Sequence, residues 1–226
     1  MKSLCTVCDP VYFKQHGIKL INSVEVLNTS LIVIVINPLW EDIQLMKKIN
    51  KTSKNTKCNY ITDSRDTKTF YASARYIYSE DLIREYELEG IMFLDADSLV
   101  LKDIPFPEED YSLHLREPFP NTTGIVKEGS YVLGSSVYIS NNGIEFAKFL
   151  KKELNSYVLD TWYQDQMALW RAHQSLNSKL SFSQLDKTYL DWDFDPSSFI
   201  WNAKGPRKYQ DRRFIDLSNK YSNNIF

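Results

Sequence analysis

The sequence predicts an α/β layered domain built on a largely parallel sheet, and two observations carry that prediction. Strand and helix signals alternate through the N-terminal half, as βαβ units do. Residues 31–36 form an uninterrupted, β-branched apolar run, the pattern of a parallel strand covered on both faces. The elements follow in order. Residues 4–8 read as a first strand, and Ile18, Ile21, Val24 and Leu27 then recur at helical spacing. After the apolar run, residues 41–49 return to helix and residues 58–62 read as a short strand. Residues 70–89 predict a long helix with a break near Ser79, ended by Gly90 as a C′ glycine. Residues 91–94 are a further buried-looking strand that runs into Asp95-Ala96-Asp97.

The second half changes character. Pro105, Pro107, Pro118 and Pro120 punctuate short segments around residues 111–115. Residues 131–140 are strand-like, and Asn141-Asn142-Gly143 turns into an amphipathic helix over 144–157, with another expected over 162–176. Residues 182–226 are rich in aromatics and turns, and no period assigns them. No repeat or linker interrupts the chain, so a single domain over residues 1–226 is expected.

Bulk composition excludes several classes. A formal charge of −2 offers no basic field for nucleic acid or an anionic membrane. No apolar run approaches the length of a membrane span, and residues 1–5 lack an h-region with a small-residue cleavage site, so no signal peptide is expected. Three cysteines, an odd count, point to reduced thiols and a cytoplasmic location. Without a secretory route, the sequons at Asn28, Asn50 and Asn121 carry no expectation. Aromatic residues make up 14 % of the chain, which suits either sugar and base contacts or a heavy core.

Cys5 and Cys8 form a C-x-x-C pair, but an offset of three along a strand points the two thiols to opposite faces, and both are expected to be structural. His16, His114 and His173 show no ligand spacing and are read as incidental. No G-x-S-x-G elbow and no phosphate-cradling P-loop occurs.

The residues that carry chemistry are Asp95 and Asp97. Two apart on an extended segment, they would face one way and converge on a hard cation such as Mn²⁺ or Mg²⁺. Ligands of open α/β sheets collect beyond the carboxyl ends of the strands, where both Asp95 and Asp9 are expected. Three letters alone arise by chance in so Asp-rich a chain, and Asp191-Trp192-Asp193-Phe194-Asp195 repeats the pattern. There Pro196 replaces the glycine of a calcium loop, and a solvated turn is expected.

Residues 91–104, Ile-Met-Phe-Leu-Asp-Ala-Asp-Ser-Leu-Val-Leu-Lys-Asp-Ile, resemble the signature of the glycogenin-like, family-eight GT-A glycosyltransferases. The resemblance implies a GT-A fold, a Rossmann-like mixed sheet flanked by helices. It also implies a metal-dependent transfer of sugar from a nucleotide donor, usually UDP-linked, to an acceptor hydroxyl on a glycan, lipid or protein. Asp95 and Asp97 match the family's metal positions. Asp9 and Tyr12 match the loop that holds base and ribose, although Asp9 also suits a helix N-cap before Pro10. Arg75 matches an arginine upstream of the metal pair, and an ordinary surface ion pair is its alternative.

Asp165 and Gln166 match a helix start where donor sugar and acceptor meet, although a carboxylate there also suits the helix dipole. Gly134-Ser135-Ser136 stands where the family has an asparagine-bearing strand. Gly205 and Lys208 match a C-terminal phosphate-binding turn, with Asn202 in place of the family's histidine ligand. A basic turn without ligand is the alternative there. Two rivals stand beside the transferase. A nucleotidyltransferase would carry a glycine-rich loop where this chain has Asp9-Pro10-Val11-Tyr12, and a non-catalytic nucleotide- or carbohydrate-binding module would explain Asn202.

Overall fold

A computed structural model describes residues 1–118 and 126–222. Pro120 and Asn121, singled out above, lie outside the described residues. Strand β1 (Lys2–Cys8) leads into a helical stretch that changes pitch twice. A turn of α-helix, α1 (Pro10–Tyr12), is followed by a π-helical segment, Phe13–Gly17, and then by α2 (Ile18–Val24). The chain continues through β2 (Leu31–Ile36), α3 (Trp40–Thr52), β3 (Thr56–Ile61), α4 (Lys68–Ile77), α5 (Ser79–Glu85), β4 (Gly90–Leu94) and β5 (Ser98–Val100). Then come β6 (Tyr111–Leu115), β7 (Val132–Ser140), α6 (Ile144–Asn155), α7 (Gln164–Leu176), β8 (Phe182–Gln184), β9 (Ile200–Asn202), α8 (Arg207–Gln210) and α9 (Arg212–Lys220). Seven strands belong to a mixed sheet, and β5 with β9 makes a separate ribbon, so the expected α/β class is observed.

The chain divides into two compact units. One comprises residues 3–64, 94–105 and 186–226. Its strands run β3-β2-β1, all parallel, with Leu4 opposite Leu31 and Leu31 opposite Thr56. All six residues of β2 are buried, which is why that strand shows no polar alternation. The β5–β9 ribbon is antiparallel, with Ser98 opposite Asn202 and Leu99 opposite Trp201. Its apolar residues, Leu99 and Trp201, pack with Phe194, Ala203 and Phe214 in a small core of their own. That core fastens the C-terminal segment beside the Asp95-Ala96-Asp97 turn.

The other unit comprises residues 1–2, 65–93 and 106–185. Its strands run β4-β7-β6-β8; β6 is antiparallel to β7, with an irregularity between Leu113 and His114, and parallel to β8. Tyr111 stacks on Phe146 with centroids 4.2 Å apart, and its hydroxyl meets His173 Nδ1 at 2.9 Å, so His173 belongs to an aromatic core. The expected break in the long helix falls at Tyr78, where φ −94° and ψ 2° leave the helical region between α4 and α5.

Gly90 corrects the reading above. It is the first residue of β4, not a helix cap; the left-handed residue after α5 is Glu87, with φ 50°. Gly90 is required by space, because a Cβ there would lie 2.2 Å from the Tyr138 hydroxyl. The helix expected from residue 162 starts at Gln164, because Tyr163 is left-handed with φ 76°.

Candidate functional site

The Asp95-Ala96-Asp97 segment is a tight turn, not the extended strand expected. Ser98 N donates to Asp95 O at 3.0 Å, closing the reversal between β4 and β5. The two carboxylates are brought near each other by this turn and not by strand alternation. Asp97 shows the consequence: burial, and then the charge of Asp95, push its carboxyl up, with Lys208 opposing. The buried Ala96 leaves both flanking carboxylates as the turn's reactive groups.

The ribbon register brings the next residue in. Asn202, opposite Ser98, is 2 % exposed and its Nδ2 donates to Asp95 Oδ2 at 3.2 Å and to Ser98 Oγ at 3.1 Å. Gly205 follows with φ 64°, a left-handed value that an L side chain resists, and nothing crowds its Cβ position. This reversal starts α8, from which Lys208 reaches back. Its Nζ lies 2.5 Å from Asp97 Oδ2 and 3.2 Å from the Tyr12 hydroxyl, and 5.2 Å from the centre of the Tyr12 ring. Burial alone would lower the lysine's pKa, but Asp97 and Tyr12 outweigh it and hold the ammonium charged.

Asp9 takes the capping role foreseen for it. Its Oδ1 accepts from Val11 N at 2.8 Å and Tyr12 N at 2.9 Å, which sets the short helix that displays Tyr12. Tyr12 is 39 % exposed, so part of its side chain reaches solvent. His16 was read as incidental from sequence, yet the π-helical turn places its ring 5.1 Å from that of Tyr12. Its pKa is pushed down to about 4, first by burial and then by Lys208 and Lys19. A lone histidine has no spacing that could have announced this position.

Arg75, Asp165 and Gln166 all belong to the other unit. Arg75 is 6 % exposed with its guanidinium 5.1 Å from the Tyr76 ring, which overturns the surface-pair alternative. Asp165 and Gln166 are buried in the first turn of α7. With its amide oxygen and nitrogen exchanged, Gln166 donates to Gly129 O at 3.1 Å and Val132 O at 2.6 Å, which would make it a brace on the backbone. Gly134 has little room for a side chain: a Cβ would lie 3.1 Å from Asp165 Oδ2. Tyr76 donates its hydroxyl to Gly134 O. Arg116, not foreseen from sequence, anchors nearby with Nε donating to Ser130 O at 2.7 Å.

Two further expectations resolve. Cys5, Cys8 and Cys58 are buried free thiols, and burial, then the Asp9 charge, raises the Cys8 thiol beyond easy ionisation. The Asp191 cluster is not simply solvated. Asp191 is 3 % exposed and organises the turn, accepting from Asp193 N and Asp195 N at 2.7 Å each and from Ser198 Oγ at 2.8 Å.

Among the described residues, no three His, Cys, Asp or Glu side chains gather to hold a metal. Asp95 and Asp97 still suit a hard cation, since a positive ion would offset the burial and the Asp95 charge that together raise Asp97. Asn202 turns its nitrogen, not its oxygen, to Asp95, so it is not presented as a third ligand. The donor set suits a hard cation at the two carboxylates, with no third His, Cys, Asp or Glu beside them among the described residues.

The fold is that of the GT-A-like glycosyltransferases. The glycosyltransferase GlyE of Streptococcus pneumoniae TIGR4 superposes with a TM-score of 0.65 at 16 % identity, over 99 % of this chain and 61 % of that one. The chain thus spans about three-fifths of GlyE's length. The galactosyltransferase LgtC, in complex with donor and acceptor sugar analogues, gives 0.61 at 14 % identity over 97 % and 96 % of the two chains. The bifunctional glycosyltransferase WbbM gives 0.64 at 13 % identity, over 99 % of this chain and 50 % of its own. No protein-family model and no curated sequence matches the chain.

Proposed function

We propose that this chain transfers a sugar from a nucleoside-diphosphate donor, UDP-linked in the first instance, to an acceptor hydroxyl, as a glycogenin-like, family-eight enzyme would. The observation that carries this reading is the group of Asp97, Lys208 and Tyr12 within one unit: a largely buried carboxylate, a charged ammonium and a partly exposed aromatic ring within a few ångströms. Those are the chemical complements of a base, a diphosphate and its counter-cation.

In this reading Tyr12 offers its ring to the base, and Asp9, whose capping bonds both use Oδ1, orients it and accepts from a base NH or ribose hydroxyl. Lys208 pairs with the diphosphate, and Gly205 supplies the reversal that lets it do so. Asp95 and Asp97 would hold Mn²⁺ or Mg²⁺, which when bound neutralises charge on a departing diphosphate. Stabilising the leaving group electrostatically is the largest contribution asked of the site. LgtC's complex with donor and acceptor sugar analogues supports a sugar donor and a sugar acceptor on this fold. Asp165, Gln166 and Arg75 belong to the other unit, and the reading rests on none of them.

One observation favours a second reading, a nucleotide-binding module without turnover: Asn202 gives Asp95 a hydrogen bond instead of offering a metal an oxygen. Hydrolysis of UDP-glucose and UDP-galactose with Mn²⁺, Mg²⁺ and EDTA separates the two. Metal-dependent release of UDP that Asp97→Asn abolishes is expected; UDP binding without any turnover would favour the module. Failure to bind or turn over any nucleotide sugar would end the transferase proposal.

A further inference from the structure

Lys208 does something that a simple phosphate-binding lysine need not do. Its ammonium lies 2.5 Å from Asp97 Oδ2, on a carboxylate that a cation would need, and is steadied by the Tyr12 hydroxyl at 3.2 Å. The pair is withdrawn from solvent, with side-chain exposures of 9 % for Lys208 and 12 % for Asp97. A hard cation binds carboxylate oxygen at about 2.1 Å. Placed on Asp97 with the ammonium still there, it would set a single and a double positive charge roughly 3–4 Å apart, in a site where Coulomb repulsion is weakly screened. The two cations therefore compete for Asp97.

We propose that Lys208 is a counter-ion latch on Asp97, released by the diphosphate of an incoming nucleotide, so that cation and nucleoside diphosphate are taken up together. This rests on the proposed nucleotide site and adds its order of filling. In the empty site the lysine neutralises Asp97 and excludes the divalent ion. A diphosphate brings several anionic oxygens to the ammonium. Lys208 moves its ion pair onto them, and Asp97 becomes available beside Asp95. Tyr12 is the hinge of the exchange, because it holds the lysine by hydroxyl and ring in the closed state and presents the same ring to the base. Asn202 fits the same scheme: its bond to Asp95 steadies the neighbouring carboxylate.

The test is Mn²⁺ binding to the full chain, followed by the electron paramagnetic resonance signal of free Mn²⁺, with no turnover involved. Wild type is expected to bind Mn²⁺ weakly alone and at least about tenfold more tightly with saturating UDP. Apparent affinity is reduced by the fraction of molecules in which the latch is closed, so Lys208→Met should bind Mn²⁺ alone about tenfold more tightly than wild type. The same variant should bind UDP less tightly. Tyr12→Phe, which keeps the ring and removes the hydroxyl, should give a smaller gain of the same sign. A misfolded variant loses affinity, so a gain cannot come from damage. Mn²⁺ affinity unchanged or reduced in Tyr12→Phe and in folded Lys208→Met would overturn the latch, even where wild type binds Mn²⁺ and UDP together. Wild type that binds no UDP with Mn²⁺ would instead remove the nucleotide site itself.

Discussion

His16 shows how one residue reports the electrostatics of the site. Its imidazole is held neutral, with a pKa near 4 against 6.5 for the free side chain, because burial and two lysines disfavour its cation. The unfolded chain therefore binds a proton there that the folded chain refuses between those values. Stability linked to His16 is present in full above pH 6.5 and falls as the pH drops towards 4. His16→Phe removes that slope. Urea midpoints of wild type and variant should accordingly converge, in the variant's favour, between pH 7 and pH 4.5. Parallel curves would mean that His16 is solvated and charges freely. Lys208, the nearer of its named perturbers in function, contributes to this slope, and Lys208→Met should shallow it.

The elements that build the site are short, and each is held by packing far away in sequence. The ribbon of β5 and β9 has three residues per strand and stands on the core of Leu99, Phe194, Trp201, Ala203 and Phe214. Phe214→Ala in α9 should cost about 3–5 kcal/mol by leaving a cavity. It should also weaken UDP binding without touching ligand, because Asn202 and the turn to Lys208 hang on that core. Thermal unfolding together with UDP titration would read both effects, and intact UDP affinity would show that the turn is independent of the core. Gly90 makes a parallel case in β4. A Cβ there meets the Tyr138 hydroxyl at 2.2 Å, so Gly90→Ala should destabilise by about 1–3 kcal/mol through overpacking, measured by urea unfolding.

These elements explain what could be read from the sequence. Leu31–Ile36 was legible because burial on both faces leaves an unbroken apolar run, and the α4–α5 break because the periodicity falters near Ser79. Gly90 was misread because a glycine after a helix looks like a cap, while its cause, Tyr138, lies in another strand. Strand β9 was illegible because pairing with β5 makes it, and three residues carry no period.

At the scale of the whole molecule, the order of segments along the chain was more informative than any one motif. Asp9 after β1, Asp95 after β4 and Lys208 after the glycine reversal were each ambiguous alone. The structure brings Asp97, Lys208 and Tyr12 together, and turns Asn202 and Gln166 to hydrogen bonds within the protein. No helix among the described residues is long and apolar enough to cross a membrane. Ligand uptake should be visible as global stabilisation, since binding to the folded state adds about 2.7 kcal/mol at one hundred times Kd. A rise in melting temperature is expected with UDP and Mn²⁺ together, larger than the sum of the two alone.

The most direct test is calorimetric titration of UDP into the full chain with Mn²⁺ present, repeated with EDTA and with Asp97→Ala. Saturable binding that Mn²⁺ strengthens and Asp97→Ala returns to the EDTA level is the predicted result. Binding that Mn²⁺ strengthens equally in Asp97→Ala, or no binding of UDP under any condition, would contradict a nucleotide site built on Asp97, Lys208 and Tyr12.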